Sequence, residues 1–119
     1  MYSALVLDHF QNPRNAGDLT DADATAEIEN PACGDVLRLS LKAAAGRISE
    51  ARFKAKGCVA AIACGSALTE LVVGKTPNEA RNLRHEDVSA AVGGLPQGSA
   101  HAAQLAVDAL AAALSRIRT

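Results

Sequence analysis

The chain has 119 residues, of which 21% are charged, and its formal net charge is −1. This length fits a single modest core, so we expect one domain over residues 1–119. The nearly neutral balance excludes a basic field for nucleic acid or an anionic membrane, and no apolar stretch approaches the roughly 20 residues that a membrane-spanning helix needs.

The opening segment, MYSALVLDHFQNPRNAG, predicts a short helix followed by an irregular arm. Leu5, Val6 and Phe10 supply the apolar positions of the helix, and Pro13 after Asn12 disfavours its continuation. The first ten residues lack the charged and then apolar pattern of a secretory signal peptide. We therefore expect a cytoplasmic protein.

Alternation of apolar and polar residues is the main pattern of residues 25–56. Three runs with a period of two occur there, around Ile28, Leu39 and Phe53, and each predicts a half-buried strand. The connections between the runs are short and contain glycine, which favours an antiparallel meander.

Helical periodicity replaces the alternation after the third run, and the first of these helices ends at Gly74. In the TPNEA segment, Thr76 is a fitting N-cap and Glu79 can close a capping box. Two more helices are predicted, one over 86–92 and one from near Ser99. The fold class is α+β, with a small three-stranded antiparallel sheet and helices packed on one side.

Three cysteines, Cys33, Cys58 and Cys64, are too few for a disulfide scaffold and suit reduced thiols or metal ligands. A meander brings the connection that carries Cys33 and Asp35 to the edge where Cys58 leaves the third strand. Because Cys58 opens a helix, its thiolate form should be stabilised there. The alternative is a buried, unreactive cysteine and an ordinary turn at CGD.

Long motifs resemble one family over nearly the whole chain. The segments YSALVLDHFQNPRNAG, NPACGD, KAKGCVAAIACGSALTELVVGKT and LPQGSAHAAQLAVDAL are similar, in order and spacing, to the IscU/SufU/NifU N-terminal family. The resemblance implies a scaffold rather than an enzyme. A cysteine desulfurase delivers sulfur to such a scaffold, iron is added, and a two-iron, two-sulfide cluster is built and passed to acceptor apoproteins.

The resemblance also assigns the site residues. It makes Cys33 and Cys58 cluster ligands, Asp35 the neighbouring carboxylate and His101 the histidine beside the family's third cysteine. Ala102 stands here where that cysteine is normal. Alanine can neither bind iron nor accept a persulfide sulfur, so this position is the principal departure from the family pattern.

Cys64 is a tentative substitute for the missing thiol. Six residues past Cys58 on a regular helix, it lies about 120° around the helix and about 9 Å further along, too far to share one metal. If Cys58 instead sits in the loop before the helix, Cys64 moves into the first turn and compensation becomes feasible. The competing interpretation is a packed residue without a metal.

Two alternatives to the cluster scaffold stay open. Two cysteines, a histidine and an aspartate also suit tetrahedral zinc, as in a SufU-like protein that relays sulfur. A degenerate homologue would retain an interaction surface and no cluster chemistry. The LPQGS segment departs from the family's basic chaperone-binding sequence and weakens the expectation of a dedicated chaperone. A chain short of one thiol also leaves open a cluster shared across a homo-oligomer.

The remaining histidines and the basic row on the third strand have weaker claims to function. We expect His9 to pack or hydrogen-bond structurally and His85 to be solvated. Arg52, Lys54 and Lys56 alternate with apolar residues and are typical of a solvated strand face, although such a face could meet an acidic partner.

Overall fold

The computed structural model describes residues 2–31 and 33–117, and these residues form three strands, five α-helices and one 3₁₀ turn. In chain order they are α1 (Ala4–Gln11), β1 (Ala24–Glu29), β2 (Val36–Ala44), β3 (Arg47–Lys56), α2 (Val59–Val72), α3 (Pro77–Arg81), α4 (His85–Ala91), the 3₁₀ turn (Gln97–Ser99) and α5 (His101–Leu114). The predicted α+β class is confirmed. Within the described ranges, no helix is both long and apolar enough to cross a membrane.

The sheet is the predicted antiparallel meander, in the order β1–β2–β3. Ala26 pairs with Leu39, and Leu39 pairs with Phe53 on the other side. All three side chains are buried, because successive residues of a strand point to opposite faces and these share one face. Helices α2 and α5 pack on that face, which gives the one-sided arrangement that the alternation indicates.

Helix α2 lies unusually close to the sheet at Gly65. A Cβ atom at this position would lie 2.6 Å from Phe53 Cδ2 and 2.9 Å from Leu37 Cδ1. The lack of a side chain therefore allows the helix to pack directly on the two strands. Since α2 follows β3 after two residues, this packing also fixes the start of α2 at the end of the sheet.

Of the predicted helix starts, that of α3 is confirmed and that of α5 is shifted. The capping box of α3 is present, with Thr76 Oγ1 accepting from the Glu79 N–H at 3.1 Å and Glu79 Oε1 accepting from the Thr76 N–H at 2.9 Å. Helix α5 begins at His101, two residues later than expected, because Gln97–Ser99 forms a separate 3₁₀ turn. His101 is thereby the first residue of α5.

Candidate metal centre

The site lies at the edge of the sheet where β1 connects to β2 and where β3 ends. Val36 pairs with Lys56 as the last pair of the β2–β3 ladder. Asp35 precedes that pair on one strand and Cys58 follows it on the other, with Cys33 in the connection to β1. The meander thus brings residues 25 positions apart in the chain to one place, as the sequence predicts.

Three potential ligands converge at this edge. Cys33 Sγ lies 3.5 Å from His101 Nε2, and His101 Nε2 lies 3.4 Å from Asp35 Oδ2. All three donor atoms lie within 4.8 Å of one another. A thiol sulfur, a carboxylate oxygen and an imidazole nitrogen at these separations are a donor set that could hold a metal ion.

The site is open on one side and closed on the other. Cys33 is exposed, whereas Asp35 is 5% exposed and forms the floor of the site. The side chain of His101 is 36% exposed. An ion or a sulfur donor can therefore approach from the Cys33 side, while the carboxylate stays fixed beneath.

Cys58 joins the site through Asp35. Its backbone N–H donates to Asp35 Oδ1 at 3.2 Å, and its thiol donates to Oδ2, also at 3.2 Å. The Cys58 sulfur is not part of the compact set of three, but the shared carboxylate places it next to that set. Asp35 is consequently the residue that connects Cys33, His101 and Cys58.

The hydrogen bonds around Asp35 keep it ionised. Burial by itself would raise the pKa of this carboxyl group, but hydrogen bonds from Cys58, Cys33 and His101 outweigh burial and hold the pKa below its usual value. Asp35 is therefore a carboxylate near neutral pH. A buried carboxylate that faces a thiol and an imidazole ring is a strong attractor for a cation.

The expectation that the start of α2 makes Cys58 a thiolate is wrong for the metal-free protein. Burial, together with the carboxylate of Asp35, raises the pKa of the Cys58 thiol above its ordinary value, and the backbone N–H groups of Ala61 and Ala60 do not compensate. A bound cation would replace the thiol proton and relieve the repulsion between sulfur and carboxylate.

Cys64 lies away from the site, in the core. It is fully buried among the apolar residues between α2 and the sheet, and burial, with a smaller effect of Cys58, raises its pKa to about 12. Because α2 begins at Val59, Cys64 lies in the second turn and not in the first turn that compensation requires. The structure does not bring this thiol to the converging donors.

Ala102 likewise belongs to the core. It is 1% exposed and packs in the main apolar cluster, although His101 immediately before it faces the site. Among the described residues of α5, His101 is therefore the one that contributes a donor atom to the set.

One contact beside the site has no signal in the sequence. The hydroxyl of Tyr2 lies 3.4 Å from Ser99 Oγ, in the 3₁₀ turn that precedes His101. The two residues are 97 positions apart, and local spacing carries no information about such a pair. The N-terminal segment thus braces the turn that leads into α5.

The other histidines lie outside the site. His9 is 6% exposed, and its Nδ1 lies 2.8 Å from Ser66 Oγ, the structural role that we expect. His85 is exposed, and its Nε2 lies 2.8 Å from Glu86 Oε1.

The basic row of β3 is solvated on the outer face of the sheet. Arg52, Lys54 and Lys56 are all exposed, and Lys54 forms an ion pair with Asp18 at 3.0 Å.

Comparison with known proteins assigns the family. The family model described as the NifU-like N terminal domain matches residues 1–119. The iron–sulfur cluster assembly scaffold protein IscU 1 of Archaeoglobus fulgidus is 46% identical over 114 residues, covering 96% of this chain and 74% of that protein. The scaffold protein IscU of Escherichia coli K12 is 41% identical over 118 residues, covering 96% and 91%.

A solved structure has the same fold. The crystal structure of an iron–sulfur cluster assembly scaffold protein for the SUF system from Fervidobacterium islandicum AW-1 superposes with a TM-score of 0.79 at 21% identity, covering 95% of this chain and 96% of that one. At this identity the likeness concerns the fold, while the family model and the two IscU proteins carry the assignment. The chain belongs to the family of NifU-like N-terminal domains.

Proposed function

We propose that this protein is an iron–sulfur cluster assembly scaffold, which binds iron and sulfide, builds a labile cluster and transfers it to apoproteins. The observation that carries the proposal is that ligand atoms of Cys33, Asp35 and His101 lie within 4.8 Å of one another. The thiol of Cys58 is hydrogen-bonded to the same carboxylate. The similarity to proteins named as cluster assembly scaffolds supports it.

The number of donors fits a two-iron, two-sulfide cluster. In such a cluster two sulfides bridge the irons, and each tetrahedral iron needs two more ligands, which makes four in all. Cys33, Cys58, His101 and Asp35 provide four donor side chains at one edge of the sheet. Ala102 then needs no replacement thiol, because the carboxylate and the imidazole complete the set.

Asp35 makes the proposed cluster easy to release. Iron–sulfur clusters are most stable with thiolate ligands, and a carboxylate oxygen is a harder and weaker partner for them. The exposed position of Cys33 gives an incoming acceptor access to the same cluster. Both features suit temporary storage better than permanent electron transfer.

The proposed role is that of a carrier and not of an enzyme, because the cluster leaves the protein as cargo. The partners that this role requires are a cysteine desulfurase, which supplies sulfur, and the acceptor apoproteins. The LPQGS segment at residues 95–99 gives no basic surface for a dedicated chaperone. A cytoplasmic location and the sharing of a cluster between two copies of the chain stay predictions.

A zinc-binding sulfur relay is the second candidate, and two distances favour it. Ligands of one tetrahedral zinc, at bond lengths of about 2.0–2.3 Å, lie roughly 3.3–3.8 Å apart. Cys33 Sγ and Asp35 Oδ2 lie 3.5 Å and 3.4 Å from His101 Nε2. In this role Cys33, which is exposed and is one of the metal ligands, would also accept the sulfur.

Cluster transfer tests the proposal directly. The anaerobic protein is incubated with ferrous iron, L-cysteine, a cysteine desulfurase and dithiothreitol, which reduces persulfide sulfur to sulfide. It is then separated from the desulfurase and mixed with an apo-ferredoxin. We expect a brown protein whose visible circular dichroism changes to that of the holo-ferredoxin as the cluster moves. Cys33→Ser is the inactive control, and His85→Ala is the matched control at an exposed histidine outside the site.

The result also separates the candidates. A colourless protein that retains zinc and passes sulfur to an acceptor thiol would replace the scaffold with the relay. A protein that takes up neither cluster nor zinc would contradict both candidates and indicate a degenerate homologue.

A further inference from the structure

Gly57 lies directly across the sheet from the site carboxylate. Val36 pairs with Lys56, so the next position of the same antiparallel register sets Asp35 opposite Gly57. Asp35, the residue before β2, continues the buried row that includes Leu37, because side chains of alternate residues share a face. A side chain at Gly57 would therefore point towards Asp35.

The Asp35 side chain fills the space that a side chain at Gly57 would need. A Cβ atom at Gly57 would lie 2.1 Å from Asp35 Oδ1, 2.7 Å from Cγ and 3.0 Å from Cβ. The first two separations are shorter than any ordinary contact. The aspartate side chain has one carbon between backbone and carboxylate, and it is 5% exposed, so it cannot avoid this overlap while its oxygens stay in place.

The same residue also has a backbone conformation that favours glycine. The φ angle of Gly57 is +138°, in a region that L-residues rarely adopt. This turn directs the Cys58 N–H to Asp35 Oδ1 at 3.2 Å. Gly57 thus leaves room for the carboxylate and also aims at it one of the hydrogen bonds that hold it.

We propose that Gly57 is the positioning residue that gives the site its oxygen ligand. Its missing side chain lets Asp35 reach Cys33 and His101, and any side chain at position 57 expels the carboxylate from the donor set. The inference rests on the proposed function, since it concerns the metal-binding capacity of the same residues. It adds that Gly57, which touches no metal, decides whether the donor set contains oxygen.

Titration with Co²⁺ tests this inference, because thiolate-bound Co²⁺ absorbs in the near ultraviolet and reports affinity without cluster chemistry. The variants are Gly57→Ala, Asp35→Ala and the double variant. Gly17→Ala is the matched control, since Gly17 has a similar φ of +122° and its added Cβ would meet Arg52 Nη1 at an ordinary 3.9 Å.

We expect Gly57→Ala to weaken Co²⁺ binding about 10- to 100-fold, the loss typical of disturbing the support of a metal ligand. Asp35→Ala should cause a comparable loss, and the double variant should lose little more than either single variant, because both act on the same carboxylate. Gly17→Ala should bind Co²⁺ like the unsubstituted protein.

Two outcomes would overturn the inference: unchanged Co²⁺ affinity in Gly57→Ala, or losses that multiply in the double variant. If the unsubstituted protein binds no Co²⁺, the proposed function fails and the inference fails with it. If the unsubstituted protein binds Co²⁺ and Gly57→Ala binds it equally well, the inference fails and the proposed function stands.

Thermal unfolding covers the case in which Gly57→Ala folds poorly. Asp35→Ala removes the carboxylate and leaves a Cβ at 3.0 Å, a contact that a shift of a few tenths of an ångström relieves. We therefore expect the double variant to have a higher Tm than Gly57→Ala. A double variant that is no more stable than Gly57→Ala would show that Asp35 is not what position 57 must avoid.

Discussion

Two polar clusters include residues of α2 or its N-cap, and each cluster contains one histidine. The His9 cluster consists of His9, Arg14, Ser66 and Thr69. The His101 cluster consists of Cys33, Asp35, Cys58 and His101. Both link distant parts of the chain, and both include a buried polar side chain, yet their hydrogen-bonding groups are arranged differently.

Donors and acceptors are matched in the His9 cluster. Ser66 Oγ accepts from the Arg14 N–H at 2.8 Å and lies 2.8 Å from His9 Nδ1. The Thr69 hydroxyl donates to the Ser66 carbonyl at 2.7 Å. Such a network fastens α1 and the following arm to α2, and it leaves no need for a ligand.

Electron-pair donors accumulate in the His101 cluster instead. A carboxylate, an imidazole nitrogen and a thiol sulfur converge there, and the arrangement has negative charge on Asp35 with an exposed thiol beside it. Burial and hydrogen bonding alone therefore do not identify a binding site. What distinguishes the His101 cluster is that a thiol sulfur, a carboxylate oxygen and an imidazole nitrogen, all of them metal-ligating atoms, converge beside an exposed residue.

Loss of Cys33 should have the largest effect. Cys33→Ser replaces the exposed sulfur of the His101 cluster with a poor metal ligand, and we expect affinity for Zn²⁺ or Co²⁺ to fall more than about 100-fold, beyond the range for supporting residues. Metal titration measures this, with His85→Ala as control. Retention of affinity would show that the sulfur is not part of the donor set.

Loss of His9 should affect stability and not metal binding. His9→Ala removes a buried ring and one partner of Ser66, so we expect the free energy of unfolding to fall by about 2–3 kcal/mol. Urea denaturation measures the change, and Co²⁺ titration of the folded variant should match the unsubstituted protein. A tenfold loss of Co²⁺ affinity would mean that the two clusters are not independent.

Substitution of Cys64 separates a cysteine of the core from the cysteines of the His101 cluster. Cys64→Ser places a hydroxyl in the apolar core, which should cost about 1–2 kcal/mol, whereas Co²⁺ affinity and cluster yield should not change. Cys64→Ala is the matched variant without the polar group. A lower cluster yield in both variants at unchanged fold would make Cys64 a ligand after all.

A pH dependence of stability should be the smallest effect. Burial, with the charge of Arg14, lowers the pKa of His9 below its ordinary 6.5 in the folded protein. The unfolded chain then binds more protons than the folded protein. The contribution of neutral His9 to stability is therefore fully present above pH 6.5 and is lost as the pH falls towards the folded pKa.

Comparison of Tm with His9→Gln isolates this contribution. Between about pH 7.5 and about pH 5.5, the unsubstituted protein should lose more thermal stability than the variant. Equal losses would show that the ring of His9 is as easily protonated in the folded protein as in the unfolded chain.

Much of the fold follows from local pattern. The alternation around Leu39 and Phe53 predicts the strands, and the spacing of Thr76 and Glu79 predicts the cap of α3, because both depend on neighbours in the chain. Helix α5 begins at His101 and not near Ser99, because a separate 3₁₀ turn precedes it. Ser99 in that turn contacts Tyr2, which is far away in sequence.

The site was predicted less completely than the sheet. Proximity of Cys33, Asp35 and Cys58 follows from the meander, and the row that continues from Leu37 back to Asp35 could have indicated burial of the carboxylate. The protonation of Cys58 could not be predicted, because it depends on burial and on Asp35 more than on the start of α2. The close approach of the Asp35 side chain to Gly57 depends on the pairing of two strands, and the residues next to Gly57 in the sequence do not indicate it.

Metal and sulfide analysis distinguishes a cluster scaffold from a zinc protein. Iron, zinc and acid-labile sulfide are measured on anaerobically purified protein before and after reconstitution with iron and sulfide. We predict iron and sulfide in equal amounts after reconstitution, and neither above background in Cys33→Ser. Zinc that stays bound and unchanged, with no sulfide gained, would contradict the scaffold and leave the His101 cluster as a zinc site.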